Sequence, residues 1–442
     1  MNQVVVIPYP IIGHTTPLLN FCNKLSSFSS QKNTLYTVVI TQHCHTLIAS
    51  HPPPDNVRFV TVPNVTSPYS PDTVAFYIAA QNAMQNQLVQ FLDRVDDQLL
   101  VKYVIADVMM RSAFEVANKR KIPVAAFWSM SASMFTFLYH AESLDHFVHT
   151  QMYGPGSEEI VEHIPVISPI SLADLPWPNQ IFREVAPHLK SLSKIAKSLL
   201  LSTIYELESD AIDEIRSKVT IPVYAVGPNI PDFHVQRNMP SDESSYVSWL
   251  DSKPRRSVLY VSLGSLISVS SAQIDELLDG LKQSGVNFLW AARGEKDSRL
   301  SGDCGSNGLV VDWCDQWRVL SHSSVGGFMS HCGWNSTKES LFLGVPVLTF
   351  PIIGDQLLNK KLTCDDWKNG LQLKAESYVK REVIEVAVRQ FMDLESEMMT
   401  ILMENLKRIE GICRESVEKG GQTNIEIDCF IKESGTYLGS GC

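Results

Sequence analysis

Residues 313–356 read WCDQWRVLSHSSVGGFMSHCGWNSTKESLFLGVPVLTFPIIGDQ. Within them GGFMSH (326–331) is a strand that runs into a turn at Gly333. Ser336 and Glu339 carry the S-x-x-E spacing of a capping box, which predicts a helix opening there and ending near Gly344. VPVLTF (345–350) is the next strand. A strand, a helix and a second strand in so short a span make the alternation from which parallel α/β sheets are built.

The same alternation extends upstream. SVLYVSLGS (257–265), VNFLWAAR (286–293) and GLVVDW (308–313) precede the segment as strands. A separate series opens the chain: VVVIPYP (4–10), YTVVIT (36–41), VRFVTV (57–62), YVIADV (103–108) and PVAAFW (123–128), with helical stretches at 15–26 and 112–121 between them. Between the two series, residues 225–245 are rich in Pro, Ser and Asp and lack periodicity, as an exposed linker does. The expected organisation is a Rossmann-like domain over 1–228, a linker over 229–245 and a second Rossmann-like domain over 246–442. Helical periodicity from Glu382 to Lys432 is broken at Gly420-Gly421, and the last helix is expected to pack back on the first domain. Two such domains facing across a cleft would hold a ligand beyond the carboxyl ends of their strands.

Composition bounds the function. The 442 residues are 44% hydrophobic and 19% charged, enough for sizeable cores. Lys+Arg number 37 against 48 Asp+Glu, a formal charge of -11 with no basic run, so a nucleic-acid or membrane-surface partner would lack its electrostatic footprint. The expected partner is a small molecule. MNQVVVIPYPIIGH, broken by Pro8 and Pro10, is unlike a signal peptide, and no apolar run reaches the roughly 18 residues of a membrane span. Nine scattered cysteines fit reduced thiols in the cytoplasm. The chain shows neither G-x-G-x-x-G nor G-x-x-x-x-G-K-[ST], which disfavours a dehydrogenase or a P-loop enzyme.

The helix start after Gly333 has two compatible readings. Ser336 and Glu339 cap the helix, or the N–H groups of the same turn hold a diphosphate, favoured by the helix dipole, with His331 beside it. With its opening Trp, the HCGWNS centre, the Glu three residues later, the GVP turn and the closing Asp-Gln, the segment 313–356 resembles the UDP-sugar box of plant UDP-dependent glycosyltransferases, glycosyltransferase family 1. GHTTP, YELESDAID, SWLDSKPRRSVLYVSLGS and EKGGQTN extend the resemblance over most of the chain, and Cys314-Asp315 is most similar to the subgroup numbered eighty-seven.

The resemblance implies the GT-B fold and assigns roles. Trp313 would stack on uracil, next to Cys314, with Gln316 helping to hold the nucleoside and Glu339 accepting from the ribose hydroxyls. His331, Asn335, Ser336, the turn at Gly333 and backbone near Ser265 would hold the diphosphate, and Trp334, Asp355 and Gln356 would line the sugar. His14, in P-x-x-G-H-x-x-P, would be the base in the loop opening the first helix, Asp107 its partner carboxylate, and Ser129 a sugar contact. Asp315 stands where many members have Pro, and Lys338, where an apolar residue is common, is expected to face solvent. His43 and His45, read as sharing a strand face with Cys44 between them, make a poor zinc site, and the sequons at Asn64 and Asn335 are read as incidental.

The resulting expectation is an inverting, metal-independent, cytoplasmic enzyme of plant secondary metabolism, monomeric and without cofactor. It would move glucose from a UDP donor to a hydroxyl of a small apolar acceptor, phenolic, flavonoid, terpenoid or hormone-like. Tyr9, Ile11, Met109, Met110, Trp128 and Met130 are candidates to line the acceptor. The alternatives are a non-catalytic UDP-sugar-binding protein, which would need neither His14 nor Asp107, and a hydrolase using two carboxylates.

Overall fold

The structure is a computed structural model that describes residues 2–28, 33–48, 53–65, 73–94, 101–140, 160–161, 164–171, 175, 180–231, 245–264, 269–292, 304–373 and 378–438. The chain divides into two compact units, residues 1–230 with 415–442, and residues 231–414. The second unit, expected to run to residue 442, therefore ends inside the helix Glu397–Val417. The cause is apolar: Ile427, Phe430 and Ile431 of the last helix, Gln422–Leu438, are buried in the first unit's core among Phe21, Tyr103 and Phe127.

In the first unit the strands are β1 Asn2–Ile7, β2 Thr34–Thr41, β3 Val57–Val62, β4 Val101–Asp107, β5 Val124–Trp128, the short antiparallel pair β6 Ile160–Val161 and β7 Ile170–Ser171, then β8 Ser198–Leu201 and β9 Val223–Ala225. Seven of them form one parallel sheet in the order β3-β2-β1-β4-β5-β8-β9. Helices cover both faces, so the strands read as continuous apolar runs rather than alternating ones, and Val5, Val6 and Ile7 of β1 have no exposed surface. The second unit carries β10 Val258–Ser262, β11 Asn287–Ala291, β12 Gly308–Val311, β13 Val325–Ser330, β14 Val347–Thr349 and β15 Gly370–Gln372. These make a six-stranded parallel sheet in the order β12-β11-β10-β13-β14-β15.

Each order reverses once, between β1 and β4 in the first sheet and between β10 and β13 in the second. At such a switch point neighbouring crossovers leave to opposite faces, which opens a crevice at the carboxyl ends of the two strands. His14 follows β1 and Asp107 ends β4, while Gly264 and His331 follow β10 and β13. Both groups of expected site residues thus lie at the switch points of their own sheets.

Two local expectations change. His43, Cys44 and His45 lie on a helix, Gln42–Ile48, rather than on a strand. The C-terminal helical stretch is broken between Phe391 and Glu397 as well as at Gly420, whose φ of 89° closes the helix before it. Ser265 and residues 232–244 of the expected linker lie outside the described residues. No helix among the described residues is long and apolar enough to cross a membrane.

Candidate active site

In the first unit β1 leads into a helix over Ile12–Ser27. The residue before it, Ile11, is extended and supplies no side-chain cap. His14 is therefore the third residue of the helix and not part of a loop, a boundary that Pro10-Ile11-Ile12-Gly13 gives no capping signal to reveal. Its Nδ1 lies 2.8 Å from Oδ2 of Asp107, the last residue of β4. The other carboxylate oxygen, Oδ1, accepts the N–H of Met109 at 2.8 Å. Asp107 is 1% exposed and His14 12%, so the pair is sheltered while the imidazole keeps an open edge.

Ser129, expected against the sugar, places Oγ 2.7 Å from the same Nδ1. Tyr9 packs edge-on against the imidazole, with ring centroids 5.3 Å apart. An ionised carboxylate only accepts, so Nδ1 carries the hydrogen, which Asp107 and Ser129 share, and Nε2 keeps its lone pair. A serine nucleophile would have to meet the nitrogen opposite the carboxylate. Ser129 meets the one the carboxylate holds, so the three residues hold the imidazole in one orientation and do not form a hydrolase triad.

The support of this group was not visible in its own motifs. Gln81 donates to the Met109 carbonyl at 2.6 Å and accepts from the Ser112 N–H at 3.0 Å, fixing the turn behind Asp107. Glu208, within the YELESDAID stretch, accepts from the N–H groups of Ala132 and Ser133 at 3.0 and 2.9 Å, at the start of the helix that follows Ser129. Of the candidate acceptor-lining residues, Tyr9, Met109, Met110, Trp128 and Met130 are buried and Ile11 is half-buried. Trp128 is core: its indole N–H donates to the Ser131 carbonyl at 2.8 Å and its ring packs on Phe135.

In the second unit the helix expected to open at Ser336 begins at Trp334, with Gly333 as its cap, and runs to Leu343, where Gly344 takes a φ of 64°. The capping box is not formed. Ser336 and Glu339 stand inside the helix, three positions apart and so on one side of it. Both accept from the amide nitrogen of Gln316, at 3.0 and 2.7 Å. The Tyr260 hydroxyl donates to the Gln316 carbonyl oxygen at 3.4 Å and lies 3.4 Å from Sγ of buried Cys314. Gln316, Glu339 and Ser336, expected at nucleoside, ribose and diphosphate in turn, are thus directly connected. Asp315 explains itself as the N-cap of the helix Gln316–Leu320, accepting the Arg318 N–H at 3.1 Å, which sets the position of Gln316. Trp313, just before it, leaves 44% of its surface exposed, unusual for an indole and available for stacking.

The turn between β13 and that helix is strained and held. Cys332 takes a φ of 63°, which costs a residue with a Cβ about 1–2 kcal/mol. Its N–H donates to Ser330 Oγ at 3.0 Å, and its carbonyl accepts from Asn359 at 3.0 Å. Asn359 also donates to Asp355 at 2.9 Å, tying the sugar-lining candidate to the same turn. The role of Asn359 follows from its place one helical turn after Asp355, a signal its sequence neighbourhood carries only in hindsight of the fold. Gln356 accepts from the N–H groups of Ile352 and Ile353 at 2.8 and 3.1 Å, so its carbonyl shapes the loop and its amide nitrogen is what it can offer a ligand.

His331 stands at the end of β13 with Nδ1 3.4 Å from the Ser262 carbonyl. Burial pushes its pKa down to about 4, against a partial rise from that hydrogen bond. Trp334 is 3% exposed and tilted against Trp367. Lys338, expected in solvent, is 1% exposed: its Nζ lies 5.9 Å from the centre of the Trp334 ring, because four residues along the helix is the same face. Asn335 follows Trp334 in the first turn.

A parallel α/β unit with an oriented imidazole at its switch point, and another with a helix N-terminus, a histidine and an exposed indole at its own, define the class of GT-B enzymes that handle a nucleotide-linked group. Residues 214–414 match the family described as UDP-glucoronosyl and UDP-glucosyl transferase. UDP-glycosyltransferase 87A2 of Arabidopsis thaliana is 38% identical over 443 residues, 98% of this chain and 96% of that one. Phytolacca americana UGT2, solved with UDP-2fluoro-glucose and pterostilbene, is 27% identical with a TM-score of 0.82, covering 98% of this chain and 100% of that one. Medicago truncatula UGT71G1, solved with UDP-glucose, is 25% identical with a TM-score of 0.78 over 98% of each chain. The chain belongs to the UDP-glycosyltransferase family, and it is a glycosyltransferase enzyme.

Proposed function

We propose that this enzyme transfers glucose from UDP-glucose, with inversion and without a metal ion, to a hydroxyl of a small apolar acceptor, giving a β-glycoside. The observation that carries the reading is the commitment of His14 Nδ1 to Asp107 and Ser129, which turns Nε2 into the proton acceptor. An alcohol is a poor nucleophile until its proton begins to leave, and imidazole is the side chain best matched to take it near neutrality. As the acceptor oxygen bonds to the anomeric carbon, its proton passes to Nε2 and the electron pair of the breaking bond leaves on the UDP oxygen. Asp107 offsets the charge that forms on the ring. The helix Trp334–Leu343 directs its N-terminus at the departing diphosphate, which is the support for leaving a metal out.

The glucose assignment draws on the donors of the two solved relatives and on Gln356 at the end of the box. The scattered, odd-numbered cysteines support a cytosolic location. His14→Ala is expected to lower kcat by about 10² to 10⁴ with unchanged UDP affinity, and turnover is expected to survive excess EDTA. Kinetics on an alcohol acceptor, with the anomer assigned by NMR, decides the matter. An α-glycoside, or near-normal turnover by His14→Ala, would overturn the base mechanism.

A further inference from the structure

We infer that His331 meets the donor's diphosphate as an imidazolium, so that each donor molecule bound takes up one proton from solvent. The inference deepens the donor-site reading above and rests on it.

The argument is one of donors and acceptors. The Ser262 carbonyl faces Nδ1 at 3.4 Å, and a carbonyl only accepts, so the hydrogen of the neutral ring sits on Nδ1 and Nε2 carries a lone pair. Nε2 packs closely against two glycines, whose missing side chains make room for the ring. A Cβ added at Gly264 would come within 2.7 Å of it, and one at Gly333 within 2.4 Å. Gly333 is also the cap of the helix Trp334–Leu343, so Nε2 lies beside the turn where that helix presents its first N–H groups.

A sugar diphosphate near neutrality offers acceptors only. Against the neutral ring it would set lone pair to lone pair. The other neutral tautomer would present Nε2–H to the phosphate but turn a lone pair on the Ser262 carbonyl, leaving two acceptors facing each other inside the protein. Only the doubly protonated ring satisfies both sides.

The surroundings of the free protein oppose that charge, and none of its described neighbours supplies a counter-ion. It is faced by the Ser262 carbonyl at the end of β10, by Gly264 after it and by Gly333 in the β13 turn, with Cys332 next to it in the chain. Of these only Cys332 titrates, and burial holds its thiol well above the ordinary range. On the adjoining helices Lys338 lies against Trp334, Glu339 on Gln316 and Asp355 on Asn359. The burial that keeps the free ring neutral, with its pKa near 4, is reversed when a diphosphate enters beside it.

The test is calorimetric titration of the full chain with UDP-glucose, without acceptor, in buffers of different ionisation enthalpy between about pH 6 and 8. UDP-glucose is the probe because, unlike UDP, it has no terminal phosphate titrating near pH 6. Uptake approaching one proton at about pH 6, with affinity falling up to about tenfold per unit as pH rises, is expected. His331→Gln keeps an N–H donor without the titration and should bind more weakly with no uptake. Binding by the unaltered enzyme without proton exchange, or the same uptake in His331→Gln, would overturn the inference and leave the donor site standing. Absence of any UDP-glucose binding by the unaltered enzyme would instead overturn the donor-site reading. Should His331→Gln not fold, the imidazole NMR signals of the labelled unaltered enzyme, with and without UDP-glucose, report the same protonation directly.

Discussion

At Asp107 the two carboxylate oxygens are differently engaged, and the difference makes a testable asymmetry. Oδ1 accepts the Met109 N–H while Oδ2 holds His14. In Asp107→Asn the amide oxygen would stay on the Met109 N–H, which only an acceptor can satisfy, and the NH₂ would turn on Nδ1. That selects the tautomer with Nε2–H, which cannot take a proton. Asp107→Ala leaves Ser129 Oγ to accept the Nδ1 hydrogen, so the ring keeps the useful tautomer. Asp107→Asn should therefore lose more kcat than Asp107→Ala, on the order of 10³ to 10⁴ against 10 to 10², although Asn is the closer isostere. Steady-state kinetics of the two variants on one alcohol acceptor checks it, and equal losses would mean that Ser129 does not share the hydrogen.

Among the elements, the β13 turn and the helix Trp334–Leu343 act together. The cap of the helix, Gly333, has a φ of -61°, a conformation open to any residue, so glycine is required there for space rather than for backbone freedom. Its missing Cβ is what clears the His331 ring. Gly333→Ala should consequently keep the fold while pushing the imidazole aside, with UDP affinity down by at least about tenfold and a melting temperature changed by only a few degrees. Isothermal titration and thermal unfolding of the same preparation separate the two effects. A variant that binds UDP normally would show that the ring has room to move and that His331 is not fixed against the helix start.

For the whole molecule, acid is the informative stress. His188, on the helix Gln180–Ile195, is 7% exposed against the ring of Phe114, and burial with a smaller contribution from Arg111 pushes its pKa down to about 4. The unfolded chain binds a proton at this imidazole below about pH 6.5, the folded chain only near 4. Stability is therefore full above about pH 6.5 and is lost as pH falls toward 4, by up to about 3 kcal/mol from this residue. Urea midpoints at about pH 7 and 5 should differ less in His188→Leu than in the unaltered chain, and an unchanged difference would remove His188 as the cause. How such groups come together also separates what was legible in the chain from what was not. Strands of unbroken Val, Ile and Leu, the box from Trp313 to Gln356, and the base candidate His14 are local patterns, because sheet burial and ligand chemistry select residue types over short spans. The capping box misled for the same reason: the S-x-x-E spacing is shared by a helix cap and by two helix-interior acceptors of one glutamine, and only the partner, Gln316, tells them apart. The solvent placement of Lys338 failed because charge predicts exposure only where no aromatic face lies within reach. Ser129 at His14 spans 115 positions and Asp107 93, distances over which sequence carries no geometry. Strand order decided them, since the reversal between β1 and β4 is what sets two distant strand ends side by side.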